Sequence, residues 1–480
     1  MYESCDRRTF LTQTALSLGA LPALLQVTAQ TAESSRPNFL FLFVDDYRAD
    51  AIHALGCNAI RTPNIDRLVW QGTAFTNCYN QGGWHGAICM ASRAMVMTGR
   101  NLWDTHALDA SLPEQAAAGK LWPQRMQASG YRTFMSGKWH VNCNPAKVFQ
   151  RARHERPGMP PDIESQYRRP EEQKPDPFDP ADTTQGGYFT GGKHWSEVVA
   201  DDGVAFLRKE AGDEPFFMYL AFNAPHDPRQ TAHAWLDQYT ADALPLPPNF
   251  LPGYPYKDEI GCSADMRDER LAPFPRTPFA IRTHLREYYA IITHLDAQIG
   301  RILDALERSG RAENTYIILA GDNGLSIGSH GFMGKQNMYE HSMKVPLIMS
   351  GPGIAADRRC DALVYMQDFV PTLLELAAVA PETPMDFRSL LPLLRGEESS
   401  LRPHIYGAYM MLQRMVRGER YKMIYYPTVS RYRLYDLQED PFELQDLSEV
   451  PEHGATLKEL QEQLQRLQKE MHDPLSGSVS

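Results

Sequence analysis

Cysteine is sparse in this chain, with seven in 480 residues and no Cys-x-x-Cys pair. Setting aside Cys5, in the N-terminal segment, and Cys89, which opens a helical motif, leaves Cys57, Cys78, Cys143, Cys262 and Cys360. An odd remainder speaks against a disulfide scaffold, although one or two bridges stay open in an oxidising compartment. The missing Cys pairs also exclude a structural zinc ribbon. Positive charge is in short supply, because 48 Lys and Arg against 59 Asp and Glu give a net charge of -11. Such a chain, with no Lys/Arg stripe, repels phosphate backbones, so nucleic acid is excluded as a partner. A small anion is not excluded, since a local cluster of Lys, Arg, His and metal can hold one inside a negative protein. Apolar runs long enough to span a membrane are missing, as are internal repeats and low-complexity tracts.

What is present is an ordinary globular composition, 43% hydrophobic and 22% charged, enough to bury one large core or two unequal ones. The first thirty residues stand apart. Arg7-Arg8-Thr9-Phe10-Leu11 precedes a short apolar stretch over 16–27, broken by Pro22, and small residues follow over 28–32. Twin arginine, apolar segment and small-residue zone, in that order, read as an export signal of the twin-arginine type over 1–32. The alternative is a frayed terminal helix. Cleavage leaves a chain that works outside a bacterial cytoplasm, periplasmic or extracellular.

Four apolar runs each end in polar residues fit for chemistry. Residues 39–44 end at Asp45-Asp46, 131–135 at Lys138 and His140, 216–222 at His226, and 316–320 at Asp322-Asn323. Continuous runs of this length suit strands buried on both faces, as in a parallel sheet between helices. Ligands of open α/β sheets sit at the carboxyl ends of the strands, so four such ends predict one shared site. Leu285, Tyr288, Tyr289, Ile292, Leu295, Ile299, Ile302, Leu303 and Leu306 mark a core-facing helix closed by Gly310, with His294 inside it as a structural residue. Two proline-rich segments, 144–194 and 244–278, predict irregular loops at the rim of a pocket. Beyond about 390 the pattern turns to short β pieces around 421–426 and 431–435. A final helix follows, with Leu457, Leu460, Leu464, Leu467 and Met471 on one stripe that packs on its own domain. The expected division is therefore 37–390 for the catalytic domain and 391–480 for a smaller α+β subdomain.

Cys89-Met90-Ala91-Ser92-Arg93 starts like a helix that Gly99 stops, and a spacing of four puts Cys89 and Arg93 on one face. A Cys at a helix N-terminus sits where backbone N–H groups favour an anion, although a buried structural cysteine is the commoner use. These five residues resemble the maturation motif of the type I sulfatases, Cys-x-Pro-x-Arg or Cys-x-Ala-x-Arg, in which the cysteine is oxidised to formylglycine. The resemblance continues in order through residues 38–46, Thr62-Pro63-Asn64-Ile65-Asp66-Arg67-Leu68, Gly137-Lys138-Trp139-His140 and Ala224-Pro225-His226-Asp227. Gly321-Asp322-Asn323-Gly324, Ser329-His330-Gly331, Lys335 and the C-terminal Leu434-Tyr435-Asp436-Leu437 with Asp440-Pro441 complete it. The resemblance implies an alkaline-phosphatase-like α/β fold, a large mixed, mainly parallel sheet sandwiched by helices, with an antiparallel sheet in the smaller subdomain.

It also implies roles. Asp45, Asp46, Asp322 and Asn323 are hard oxygen donors without a close Cys or His, so calcium is the expected ion and magnesium the second choice. The formylglycine oxygen at position 89 completes that shell in the family, while one carboxylate of the 45–46 pair serving as a helix cap is the alternative. One hydroxyl of the aldehyde hydrate attacks sulfur and the other loses its proton so that sulfate is expelled. By similarity Arg93 and Lys335 hold formylglycine and sulfate, Lys138 and His226 contact sulfate and the leaving oxygen, and His140 helps the collapse step. His85 and His330 lie near the motifs as candidates for a supporting role. Ala91 departs from the commoner proline, so modification depends on a maturation enzyme that accepts alanine.

Two alternatives share these residues. One is a formylglycine-dependent phosphodiesterase or phosphonate ester hydrolase, and the other a non-catalytic sulfoglycan-binding protein whose Cys89 stays a thiol. The expected substrate is a sulfate ester on a sulfated glycan fragment, ahead of choline sulfate or simple aryl sulfates. Tyr167, Arg168 and Trp195, in or beside the irregular segments, are candidates for gripping a sugar.

Overall fold

Parity divides the first strand. Leu40, Leu42 and Val44 enter one apolar layer and Phe39, Phe41 and Phe43 another, and all seven residues of β1 (Asn38–Val44) are buried. A strand covered by helices on both sides has no solvent face, which is why it reads as a continuous apolar run. The computed structural model describes residues 36–381 and 383–477, so the export segment expected over 1–32 lies outside the described residues.

The large sheet also contains β2 (Gly72–Tyr79), and a two-residue strand β3 (Gly82–Gly83) follows it in sequence but belongs to the smaller sheet. Next come β4 (Arg132–Lys138), β5 (Arg151–Arg156), β6 (Phe216–Phe222), β7 (Thr315–Gly321), β8 (Leu347–Ser350) and β9 (Arg358–Tyr365). The order across the eight-stranded sheet is β5-β4-β6-β1-β7-β8-β2-β9, and β8 alone runs antiparallel to its neighbours. One face is covered by the helices Pro278–Arg308, Trp195–Lys209 and Pro63–Gln71, the other by apolar residues of Ile88–Thr98, Trp122–Ala128 and Phe369–Leu376. The Pro278–Arg308 helix starts seven residues ahead of Leu285, because Pro278 takes the first helical position and the Thr277 hydroxyl accepts from the Ala280 N–H at 3.2 Å.

One strand runs against the sequence reading. β5 lies inside the segment read as irregular, and its sequence Arg-Ala-Arg-His-Glu-Arg carries no apolar face. It is the edge strand beside β4, where charged side chains face solvent and discourage pairing with another chain.

The smaller sheet is β10 (Ile405–Tyr409), β11 (Gln413–Arg417), β12 (Tyr421–Tyr426) and β13 (Arg431–Asp436), antiparallel throughout, with β3 added parallel to β10. Gly82 has φ 88° and a Cβ there would lie 1.9 Å from the Ala408 carbonyl oxygen, so only glycine allows this contact. The Gly454–Glu470 helix closes this layer with Leu460, Leu464 and Leu467, as its stripe implied.

Candidate active site

Sheet order decides what meets. β4, β6, β1 and β7 are consecutive neighbours, so the residues that follow them share one end of the sheet. Lys138 closes β4 and His140 follows it; His226 follows β6, Asp45 and Asp46 follow β1, and Asp322 and Asn323 follow β7. The Ile88–Thr98 helix, launched from β3, brings Cys89 and Arg93 to the same point. Gly137, at φ 99°, sits at a register shift between β4 and β5, with the Ala221 carbonyl oxygen 1.9 Å from where a Cβ would be. A bulge of this kind re-aims the residues that follow.

Asp45, Asp46 and Asp322 offer carboxylate oxygens within 4.8 Å of one another, and all three are buried. Each is matched to one cation: Lys138 Nζ contacts Asp45, Lys335 Nζ lies 2.5 and 2.8 Å from the Asp46 oxygens, and Arg93 Nε donates to Asp322 Oδ2 at 2.9 Å. Burial, reinforced by Asp322, holds the Asp45 carboxyl well above the usual carboxylate range. Burial also raises Asp46, against the pull of Lys335. For Asp322 burial is outweighed by Arg93 and Lys138, which hold it low. For Lys335 burial is likewise outweighed, here by Asp46 and Cys89, and its ammonium is held well above its ordinary range.

Two acceptors in this cluster, Asp45 Oδ1 and Asn323 Oδ1, are buried without a hydrogen-bond donor. Each such atom costs about 1–3 kcal/mol unless something satisfies it. An all-oxygen set of three carboxylates and one amide, with two oxygens unpaired, fits a hard divalent cation such as calcium or magnesium. Because the carboxylates are already balanced one for one by Lys138, Lys335 and Arg93, a bound dication leaves a surplus of positive charge for an anionic ligand.

Cys89 is the second residue of its helix and its Sγ lies 3.3 Å from His140 Nδ1. His140 is in the left-handed region at φ 52°. Its ring packs on Gly158, where a Cβ would come within 2.4 Å of Cε1. Burial, with the nearby Lys138 and Arg93, pulls its imidazole down to about 3, so the ring is neutral. Arg93 also donates to the Lys138 carbonyl at 3.1 Å and keeps Nη2 buried without a partner. His226 Nδ1 lies 2.7 Å from the Asp227 carbonyl oxygen, which fixes the proton there and leaves Nε2 facing Asp46 at 3.8 Å. Burial and Lys335 hold this imidazole well below its ordinary range.

A cleft of about 440 Å³ opens over Cys89, His140, His226 and Lys335. Both irregular segments reach it, one through Pro157, Gly158 and Met159, the other through Met266, Arg267 and Asp268. Arg267 was not foreseen, because nothing around it forms a motif. Its guanidinium bridges Asp227 and Asp268 and comes within 3.4 Å of His226 Nε2. Asp268 in turn accepts from Gln336 Nε2 at 2.8 Å.

Other expected residues lie elsewhere. Tyr167 is buried beneath Arg270, and Trp195 is a core residue at the start of its helix with Arg156 over its ring at 4.3 Å. Arg168 is exposed and does not line the cleft. His330 stacks on Tyr339 and faces the Glu443 carbonyl at 2.9 Å, on the side of the smaller sheet. His85 stays near the motif, accepting from the Ala87 N–H at 2.9 Å. His294 is structural, held by Thr231 Oγ1 at 3.1 Å and stacked on Trp235. Six cysteines among the described residues are free.

Two family models match the chain, Sulfatase over residues 37–379 and the C-terminal region of N-sulphoglucosamine sulphohydrolase over 328–470. An N-acetylglucosamine-6-O-sulfatase of Bacteroides thetaiotaomicron is 26% identical, with 95% of this chain and 91% of that protein covered. A choline-sulfatase of Rhizobium meliloti is 27% identical over 87% of this chain and 83% of its own length. A solved structure in complex with its substrate D-glucosamine-2-N,6-O-disulfate superposes with a TM-score of 0.74 at 24% identity, covering 93% of this chain and all of that one, which shows the fold.

Proposed function

Given that the chain belongs to the type I sulfatase family of the alkaline phosphatase superfamily and is a sulfuric ester hydrolase, we propose that it releases inorganic sulfate from sulfated carbohydrates, amino sugars carrying a 6-sulfate first. The observation that carries this reading is the convergence of Cys89, Arg93, Lys138, His140, His226 and Lys335 on three carboxylates and an amide with unpaired oxygens. The amino-sugar preference rests on the N-acetylglucosamine-6-O-sulfatase relative.

Asp45, Asp46, Asp322 and Asn323 are the residues that would hold calcium, with magnesium the second choice. Cys89 oxidised to formylglycine, together with that ion, would supply a nucleophilic hydroxyl that a thiol cannot replace. The residues of the chain do the rest. Arg93, with its free Nη2, and Lys335 hold position 89 and the sulfate oxygens, and Lys138 adds charge where it spreads in the transition state. His226 meets the leaving oxygen through Nε2, since Nδ1–H is committed to the Asp227 carbonyl, and it donates there only in the doubly protonated form that a bound anionic sulfate ester favours. His140, neutral and 3.3 Å from position 89, is the base that takes a proton there.

The N-terminal 1–32 segment supports work outside the cytoplasm, and modification of Cys89 requires a formylglycine-generating enzyme that accepts Ala91. No helix among the described residues is long and apolar enough to cross a membrane. Ion-chromatographic sulfate release from a panel of sulfated mono- and disaccharides tests the reading, with N-acetylglucosamine 6-sulfate expected as the best substrate. Desulfation of choline sulfate alone overturns the sugar assignment, and faster cleavage of an aryl phosphate diester than of an aryl sulfate favours the phosphodiesterase alternative.

A further inference from the structure

A second cavity, of about 450 Å³, shares no lining residue with the catalytic cleft. It lies along the seam where β2 of the large sheet faces β11 of the smaller one, and the loop after β13 forms part of its wall. Its size suits one or two sugar rings.

The charges in it do not cancel. The acids are engaged within the protein: Asp50 is bound by Arg48 at 2.6 Å, and Glu340 and Glu443 share Lys422 Nζ at 2.9 and 2.8 Å. Glu340 also accepts from the Tyr79 hydroxyl at 2.7 Å, and Glu443 from the Glu340 N–H at 2.8 Å. Three cations have no carboxylate partner among the described residues: Lys344, Arg359 and Arg417. Arg417 is only 5% exposed, and its Nε is buried with no acceptor. Its Nη1 donates to the carbonyls of Gly418 and Glu419 at 2.6 and 3.2 Å, while Arg359 Nη2 reaches only the Ala54 carbonyl at 2.6 Å. Burial, with Arg417 nearby, holds the Lys344 ammonium below its ordinary range, and Glu340 pulls it only part of the way back without forming a salt bridge to it. A local positive surplus of this kind, in a chain of net charge -11, is a site for an anion. Phe442, 47% exposed, adds an apolar ring to the lining.

We propose that this cavity is a second, non-catalytic binding site for an anionic sugar residue, its oxyanion taken by Lys344 and Arg417 and its ring laid against Phe442. The oxyanion is a sulfate ester or a uronate carboxylate, which present the same chemistry to the two cations.

Isothermal titration of the full, metal-loaded chain carrying Cys89→Ala tests this without turnover, with a 6-sulfated uronate-containing disaccharide and its desulfated counterpart as probes. Two binding events per chain are expected with the sulfated probe. Adding Lys344→Met or, at the surface, Phe442→Ala weakens one event by at least about tenfold, the loss of one charge-assisted or stacking contact. A second event that survives with the desulfated probe assigns the carboxylate, and one that vanishes assigns the sulfate ester. Binding that is unchanged in both variants, whether one event per chain or two, overturns the proposal, whereas a single event that both variants weaken belongs to this cavity and counts against the catalytic cleft's reading instead. Aryl sulfate turnover by Lys344→Met and Phe442→Ala in the otherwise native chain reads the catalytic cleft alone and stays within about twofold, since neither residue lines it.

Discussion

His226 shows how one backbone carbonyl divides the labour of a ring. With Nδ1 committed to Asp227, Nε2 alone meets a leaving group, so His226→Ala lowers kcat by about a hundredfold to ten-thousandfold with little change in KM. Steady-state kinetics on an aryl sulfate measures both, and an unchanged kcat removes the assignment. Arg93 is a different case, since it is wholly buried against Asp322. Replacing it with Met strands a carboxylate, and urea unfolding of Arg93→Met is expected to show a loss of about 3–5 kcal/mol in addition to lost activity. For the metal cluster, Asp45→Ala removes a carboxylate that already carries an unpaired oxygen. Metal per chain by plasma emission is expected to fall well below that of the parent protein, with sulfate release lost in parallel; full occupancy in Asp45→Ala rules out the proposed ligand set. Tryptic mass spectrometry of the peptide holding Cys89 reports the oxidation itself, and an unmodified thiol favours the binding-protein alternative.

Among the elements, β4 is the one whose local geometry the site depends on most. Gly137 gives the strand its register shift just ahead of Lys138 and His140, and a side chain there collides with the Ala221 carbonyl. Gly137→Ala is therefore expected to cost about a hundredfold in kcat/KM by displacing Lys138 and His140, as misplacements near 1 Å do. A melting curve taken beside the kinetics separates that displacement from global unfolding. The four apolar strands were legible because burial on both faces leaves a continuous run, whereas β5 was not, because an edge strand of charged residues has no such signature. The same contrast explains Trp195 and Tyr167. Both stand in or beside a proline-rich segment that reaches the cleft, yet their large apolar faces go into the core instead.

At the level of the whole molecule, the smaller sheet is fastened to the catalytic end by β3 and by a buried cluster of aromatic and titratable side chains around Tyr339. His330 belongs to that cluster, and burial pulls its imidazole from 6.5 down to about 4. A folded-state value below the unfolded one means the unfolded chain binds the extra proton, so stability is lost as pH falls from about 6.5 toward 4. Comparing unfolding free energies at pH 7 and pH 5, His330→Gln is expected to shrink the difference by about 1–2 kcal/mol relative to the parent. The sequence by itself determined the fold class, the strands that carry the site and the residue types at their ends, because burial pattern and donor chemistry are local properties of the chain. Only the tertiary structure decided that Arg267 and Asp268 line the cleft, that His330 does not, and that Lys344 and Arg417 face a second cavity. Those facts depend on which distant segments pack together, and no spacing along the chain encodes them.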